Sequence, residues 1–137
     1  MLISILIKEI HADQPIIFFT ADHLIEKIGK LNKLLNKNKK NLTKSNIFIF
    51  GIKPDTPSKE FGYLITKKNN KNLNKVTRFY EKPNYLKAKN IVKKGGYWNS
   101  GMFFIRKDSL LSNFKKYQKK IYNNSLSAIN KGKFKNN

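Results

Sequence analysis

A 137-residue chain with a formal net charge of +21, 39% hydrophobic residues, 12% aromatic residues and no cysteine excludes a disulfide framework and intrinsic disorder, and leaves room for one modest core. All but two of its 29 basic residues are lysine, the exceptions being Arg78 and Arg106, so the charge reads as a solvated lysine surface rather than a nucleic-acid interface built on arginine forks. Leu2 to Ile7 is too short to span a membrane and no small-residue cleavage site follows it, so a cytoplasmic chain with no membrane partner is expected.

Ile3, Leu6, Ile7 and Ile10 fall on one helical face and predict a short amphipathic helix. Pro15 leads into Ile16-Ile17-Phe18-Phe19, a continuous apolar run of strand length. Asp22 stands where a second helix could begin, with Leu24, Ile28, Leu31 and Leu35 as its apolar stripe and Lys27, Lys30 and Lys33 outside. Ile47-Phe48-Ile49-Phe50 repeats the buried-strand pattern and ends at Gly51. Strand, helix, strand in this order predicts a right-handed crossover onto a parallel sheet, hence an α/β architecture.

Pro54 and Pro57 hold the next segment extended. Phe61 to Thr66 and Lys75 to Glu81 flank the polar stretch Lys67 to Asn74 and predict a hairpin, with Thr77, Phe79 and Glu81 on one face of its second strand. Tyr85 to Lys94 predicts a short helix closed by Gly95-Gly96, and Gly101 to Ile105 a further strand. Asp108 or Ser109 could cap a helix through Tyr117, with Leu110, Leu111 and Phe114 inward. Tyr122, Leu126 and Ile129 then give a weak helical stripe in a polar tail, and residues 132–137 are expected to fray.

The residues with chemical potential cluster at strand ends. Asp22 follows the carboxyl end of the first apolar strand, the edge where open α/β sheets bind ligands; its hard oxygens suit Mg²⁺, and its plain alternative is a helix cap. His23 has no Cys or His cluster near it in sequence and reads as a structural histidine at the helix start. Gly62 permits close backbone approach, or marks a strand bulge. Glu81 can accept two hydrogen bonds from neighbouring sugar hydroxyls and Lys82 can set an ammonium near a phosphate, unless the two are an exposed ion pair. Asn99 offers a donor and an acceptor with Ser100 and Gly101 leaving space beside it, or belongs to an ordinary turn.

Ala21-Asp22-His23-Leu24-Ile25, Gly51-Ile52-Lys53-Pro54, Phe61-Gly62-Tyr63-Leu64-Ile65, Glu81-Lys82-Pro83 and Trp98-Asn99-Ser100-Gly101-Met102-Phe103, in this order, resemble the mannose-1-phosphate guanylyltransferases of the sugar nucleotidyltransferase family, from about the first helix to about Tyr117. The resemblance implies part of a Rossmann-like, glycosyltransferase A-like fold: a mixed, mostly parallel sheet flanked by helices, with a hairpin insertion. It implies transfer of GMP from GTP to mannose 1-phosphate, giving GDP-mannose and pyrophosphate, with Mg²⁺ as cofactor. Carried over by motif, Asp22 is a metal ligand, and Gly62, Glu81, Lys82 and Asn99 line the sugar-phosphate pocket. Glu60 departs from the family's Gly-Tyr-Gly-Tyr-like segment, where a glycine stands.

Members of that family open with a Gly-Gly-x-Gly-x-Arg loop that cradles nucleotide phosphates, and these 137 residues contain none, so no catalytic residue is assigned. Asp108 is poorly placed to serve as the second metal aspartate. The expectation is a central fragment, residues 1–117 as a partial nucleotidyltransferase domain and 118–137 as a tail, with a complementary fragment as a candidate partner and little activity alone. The alternatives are a nucleotidyltransferase for glucose 1-phosphate with UTP or dTTP, or a lysine-rich nucleic-acid-binding module.

Overall fold

The computed structural model describes residues 13–69 and 73–132. The helix expected from Ile3 to Ile10 lies outside them, as do residues 70–72 of the hairpin connection and 133–137 of the tail. The chain divides into two units, one of Met1–Phe48 with Phe104–Asn137 and the other of Ile49–Phe103.

In the first unit, β1 is Pro15–Phe18 and α1 is Ile28–Asn38, continued by a 3₁₀ turn at Lys39–Asn41. The helix begins later than its apolar stripe implied: Leu24 lies ahead of it and is 88% exposed. Asp22 is therefore not its cap. A capping side chain reaches the amides two or three residues on, and Asp22 is too far ahead of Ile28, so Lys27 occupies the N-cap without a side-chain bond. Within α1, Leu31 and Leu35 are half-buried as expected, and the buried Asn38 is satisfied by donating from Nδ2 to the Leu34 carbonyl at 2.9 Å.

The last residues of β5 (Tyr97–Arg106) run straight into α3 (Lys107–Tyr117), which is followed by α4 (Lys119–Lys131). With no linker, Arg106 becomes the N-cap of α3 and supplies no capping oxygen. Neither Asp108 nor Ser109 takes that role, because both already lie within the first turn. Asp13 does it from a distance. Its Oδ1 accepts from the Asp108 amide at 3.1 Å, while Oδ2 accepts from Arg106 Nε, and the Gln14 carbonyl accepts from the Lys107 amide at 2.9 Å. Leu111 and Ile129 are buried together, with Tyr122 and Leu126 packed on them, so the weak stripe of the tail is the inner face of α4. Phe48 and Phe104 meet with ring centroids 6.2 Å apart.

The second unit is built on β3 (Tyr63–Lys67), β4 (Lys75–Tyr80) and α2 (Tyr85–Lys93), with most of β2 (Phe48–Ile52) and the first part of β5. The expected hairpin is present: β3 and β4 pair antiparallel from Tyr63↔Tyr80 to Lys67↔Lys75. A register shift after Ile65 leaves Thr77 unmatched, its hydroxyl donating to the Ile65 carbonyl at 3.1 Å, so the simple alternation expected for β4 breaks there. Asn84 starts α2 by accepting from the Lys87 amide at 2.9 Å. Gly95, at φ +75°, ends it: the Gly95 amide donates to Val92 and the Gly96 amide to Ile91, the paired bonds of a Schellman terminus. Ala88, Ile91 and Val92 pack on Tyr63, Ile65, Tyr80 and Trp98, burying the face of β3 that alternation predicts.

The hydrogen-bonded strand order is β1-β5-β3-β4, with β2 also paired to β5. Here the sheet corrects the expectation of a mostly parallel arrangement. Both registers that are defined, β3 with β4 and β3 with β5, are antiparallel. β1 and β2, the strands of the expected crossover, are not paired with each other. The pattern strand–helix–strand sets relative direction and not adjacency: β4 and β5, joined through α2, are parallel, yet β3 lies between them.

Candidate functional site

The centre of the site is the N-terminal end of β3. Because Tyr63 pairs with Tyr80 on one side and with Trp98 on the other, the residue before it, Gly62, is flanked by the residues that follow Tyr80 and Trp98, namely Glu81 and Asn99. The Gly62 carbonyl accepts from the Asn99 amide at 2.7 Å. On the opposite side, a Cβ added at Gly62 would lie 3.0 Å from Glu81 Oε2 and 3.1 Å from Phe79 Cζ. Three residues of separate motifs therefore meet at one end of one strand. The register of the sheet brings them there.

Lys82 adjoins them in the chain and holds φ at +38°, the one positive value on a non-glycine residue among the described residues. Left-handed backbone on a lysine is unfavourable, and the buried Pro83 that follows it anchors the turn. The Glu81 carboxylate forms no ion pair among the described residues, so it is not consumed by Lys82.

Asn99 and Ser100 do not lie in a loop before the strand, as expected; they are inside the ten-residue β5. Within that strand Gly101 holds φ at +73°. Asn99 Oδ1 accepts from the Gly101 amide at 3.2 Å and Ser100 Oγ from the Met102 amide at 3.2 Å, two local side-chain bonds to backbone donors two residues on. One lone pair of the Asn99 carbonyl is thus occupied, and its Nδ2 donors and second lone pair are what it can offer a ligand.

Behind this end of the sheet, Tyr63 is fully buried and its hydroxyl carries three hydrogen bonds: it accepts from the Ser58 amide at 2.9 Å and from Trp98 Nε1 at 3.0 Å, and donates to the Ser58 carbonyl at 2.9 Å. Phe61 lies on Trp98, ring centroids 4.7 Å apart. Sequence reasoning missed this role of Tyr63. Its signal was a tyrosine, with a polar tip needing partners, on the inward face of a central strand.

Cations gather around Tyr80. Lys87 Nζ sits 4.1 Å from the centre of the Tyr80 ring, and Arg78 Nη1 donates to the Tyr80 hydroxyl at 3.5 Å. That hydrogen bond, joined by the Arg78, Lys87 and Lys94 charges, outweighs desolvation and lowers the Tyr80 phenol from its ordinary value.

In the other unit, Asp22 and His23 follow β1 in an exposed turn, so His23 is not at a helix start. Asp22 forms no ion pair among the described residues, and no group of three or more His, Cys, Asp or Glu there could hold a metal. Asp108 pairs with Lys44 at 3.6 Å and Lys107 at 3.8 Å. No helix among the described residues is long and apolar enough to cross a membrane.

Residues 3–136 match the family model for nucleotidyl transferases. The alginate biosynthesis protein AlgA of Pseudomonas syringae pv. tomato is 31% identical over 121 residues, 85% of this chain and 25% of that protein. The mannose-1-phosphate guanylyltransferase of Escherichia coli is 29% identical over 127 residues, 88% of this chain and 27% of that protein. A solved structure described as mannose-1-phosphate geranyltransferase from Thermus thermophilus shares the fold, with a TM-score of 0.80 over 96% of this chain and 38% of that one at 19% identity. The chain spans about a quarter of the length of the curated relatives it matches. Given a match across nearly its whole length and a shared α/β fold, the chain belongs to the nucleotidyl transferase family.

Proposed function

We propose that this chain forms the sugar-phosphate side of a mannose-1-phosphate guanylyltransferase-like enzyme, which transfers GMP from GTP to mannose 1-phosphate with release of pyrophosphate. The observation that carries the reading is the convergence of Gly62, Glu81 and Asn99 at the end of β3. A carboxylate that accepts from vicinal hydroxyls and an amide that donates to a third suit a hexose ring, and the Lys82 ammonium beside them suits its phosphate as a point charge. The relatives named above support mannose as the sugar.

In this mechanism the residues of the chain bind and orient. Glu81 and Asn99 fix the ring, and Lys82 offsets phosphate charge so that a phosphate oxygen can approach the α-phosphorus of the nucleotide in line. Mg²⁺ would supply neutralisation of phosphate charge, and Asp22 is the residue whose carboxylate would offer it an oxygen. A single exposed carboxylate, with no group of three or more metal-ligating side chains among the described residues, does not fit a metal site made of protein alone. No residue here is assigned to the nucleotide phosphates, because the sequence holds no Gly-Gly-x-Gly-x-Arg segment.

Calorimetric titration of the chain with mannose 1-phosphate, glucose 1-phosphate and mannose tests the reading. Mannose 1-phosphate should bind, mannose should bind more weakly, and Glu81→Gln should reduce the affinity of both. Preference for glucose 1-phosphate would move the substrate to the UTP- or dTTP-dependent relatives, and no binding of any sugar 1-phosphate would overturn the proposal. With GTP, Mg²⁺ and mannose 1-phosphate, the 137-residue chain should form no GDP-mannose.

A further inference from the structure

We propose that Tyr63 is a positioning residue: its buried hydroxyl ties segment 58–62 to the Trp98 indole and so fixes Gly62 between Asn99 and Glu81. The inference rests on the sugar-phosphate reading of that site and adds to it a residue outside the ligand's reach.

The hydrogen-bonding capacity of the phenol is completely used. One O–H and two lone pairs are available to a tyrosine hydroxyl, and the three bonds to the Ser58 carbonyl, the Ser58 amide and Trp98 Nε1 fill them. The ring itself packs with Ala88 and Ile91, a task that phenylalanine would perform equally well. The hydroxyl therefore serves its partners and not the core, and those partners belong to the site. Ser58 begins the segment that ends at Gly62, and Trp98 immediately precedes Asn99.

The tie closes the segment on itself. Ser58 is held at both its amide and its carbonyl by a residue five positions on, the Ser58 hydroxyl accepts from the Glu60 amide at 3.1 Å, and Phe61 lies on the indole that Tyr63 also holds. Gly62 leaves this clasp with its carbonyl on the Asn99 amide. Loss of the hydroxyl would free Ser58 and the indole together and loosen the spacing from Glu81 to Asn99, although neither side chain is altered. Trp98 is the single tryptophan of the chain, so its emission reports on this tie and on ligand entry without a label.

The experiment titrates the full chain with mannose 1-phosphate, reading Trp98 emission and calorimetric heat, for the unaltered protein, Tyr63→Phe, Ser58→Pro and the control Thr56→Ala. Ser58→Pro removes one donor to the phenol and sets the proline Cδ where that hydrogen bond ran, so it breaks the tie from the other side with the Tyr63 side chain unaltered, and it decides the matter if Tyr63→Phe does not fold. The expected result is a shifted free-state emission in Tyr63→Phe, at least about tenfold weaker binding in that variant, weaker binding in Ser58→Pro, and unchanged binding in Thr56→Ala. A hydroxyl that only stabilised the fold would lower the melting temperature of Tyr63→Phe and leave the affinity of the folded protein intact; that outcome, or wild-type affinity in Ser58→Pro, overturns the inference while the sugar-phosphate reading stands. Failure of the unaltered chain to bind any sugar 1-phosphate overturns both.

Discussion

Gly62 and Glu81 face each other across adjacent strands so closely that a methyl group on residue 62 would lie 3.0 Å from Glu81 Oε2. The glycine thus makes room for a carboxylate of its own chain before it makes room for any ligand. That relationship separates two properties that are often lost together, folding and binding, because the atoms in the way are the far ends of exposed side chains.

Gly62→Ala should consequently cost little stability and much affinity. Overpacking in a closed core typically costs about 1–3 kcal/mol, but Phe79 is 49% exposed and Glu81 is exposed, so both can swing aside. We expect a destabilisation of about 1 kcal/mol or less by denaturant titration. Mannose 1-phosphate affinity should fall by at least about tenfold, or about 1.4 kcal/mol, because Glu81 is displaced. Loss of both in equal measure would show that Gly62 is a folding residue only.

Lys82→Gly should move stability and binding in opposite directions. A lysine at φ +38° bears an unfavourable backbone that glycine does not. The substitution should therefore leave stability unchanged or raise it by up to about 1 kcal/mol, after the added unfolded-state entropy of glycine is subtracted. Removal of the ammonium should weaken mannose 1-phosphate more than mannose, which thermal melts and paired titrations would reveal.

The two glycines that end α2 should respond differently to alanine. Gly95→Ala forces a side chain into left-handed backbone with open space around it, for about 1–2 kcal/mol. Gly96→Ala drives a Cβ into the Ile91 side chain, with the Ile91 and Leu64 carbonyls at 3.1 and 3.3 Å. Ile91 is buried and those carbonyls are held by backbone geometry, so we expect the larger loss, about 2–3 kcal/mol, seen as a lower denaturation midpoint.

Asp13 should make the protein acid-labile. Burial raises its carboxyl pKa, but hydrogen bonds from the Asp108 amide and from Arg106, with the Arg106 and Lys44 charges, outweigh burial and lower it below 3.8. A group depressed in the folded state contributes stability above its unfolded pKa and loses it as pH falls through the folded value, so stability should decline from about pH 5 downward. Asp13→Ala should lower stability near neutrality by about 1–2 kcal/mol, the scale of a lost cap, and flatten the acid limb of a stability-against-pH curve.

The local elements were largely legible because each rests on neighbours in the chain. The apolar runs of β1 and β2, the hairpin of β3 and β4, and α2 between Asn84 and Gly95 follow from periodicity and from termini whose bonds span a few residues. Where contacts were not local, reading along the chain failed: the start of α1, the Asp13 cap reaching Asp108, the long β5 that absorbs Asn99 and Ser100, and the insertion of β3 between two parallel strands.

The amino-acid order alone determined which residues have the chemistry for a sugar phosphate, and placed Gly62, Glu81, Lys82 and Asn99 at the ends of apolar segments. Only the tertiary structure decided that Gly62 stands between Glu81 and Asn99, and that Tyr63 and not a surface residue holds them in place. The reason is register: a strand presents the same side chains whichever partner it takes, and pairing with particular residues of two other strands is settled by packing and hydrogen bonding across the sheet.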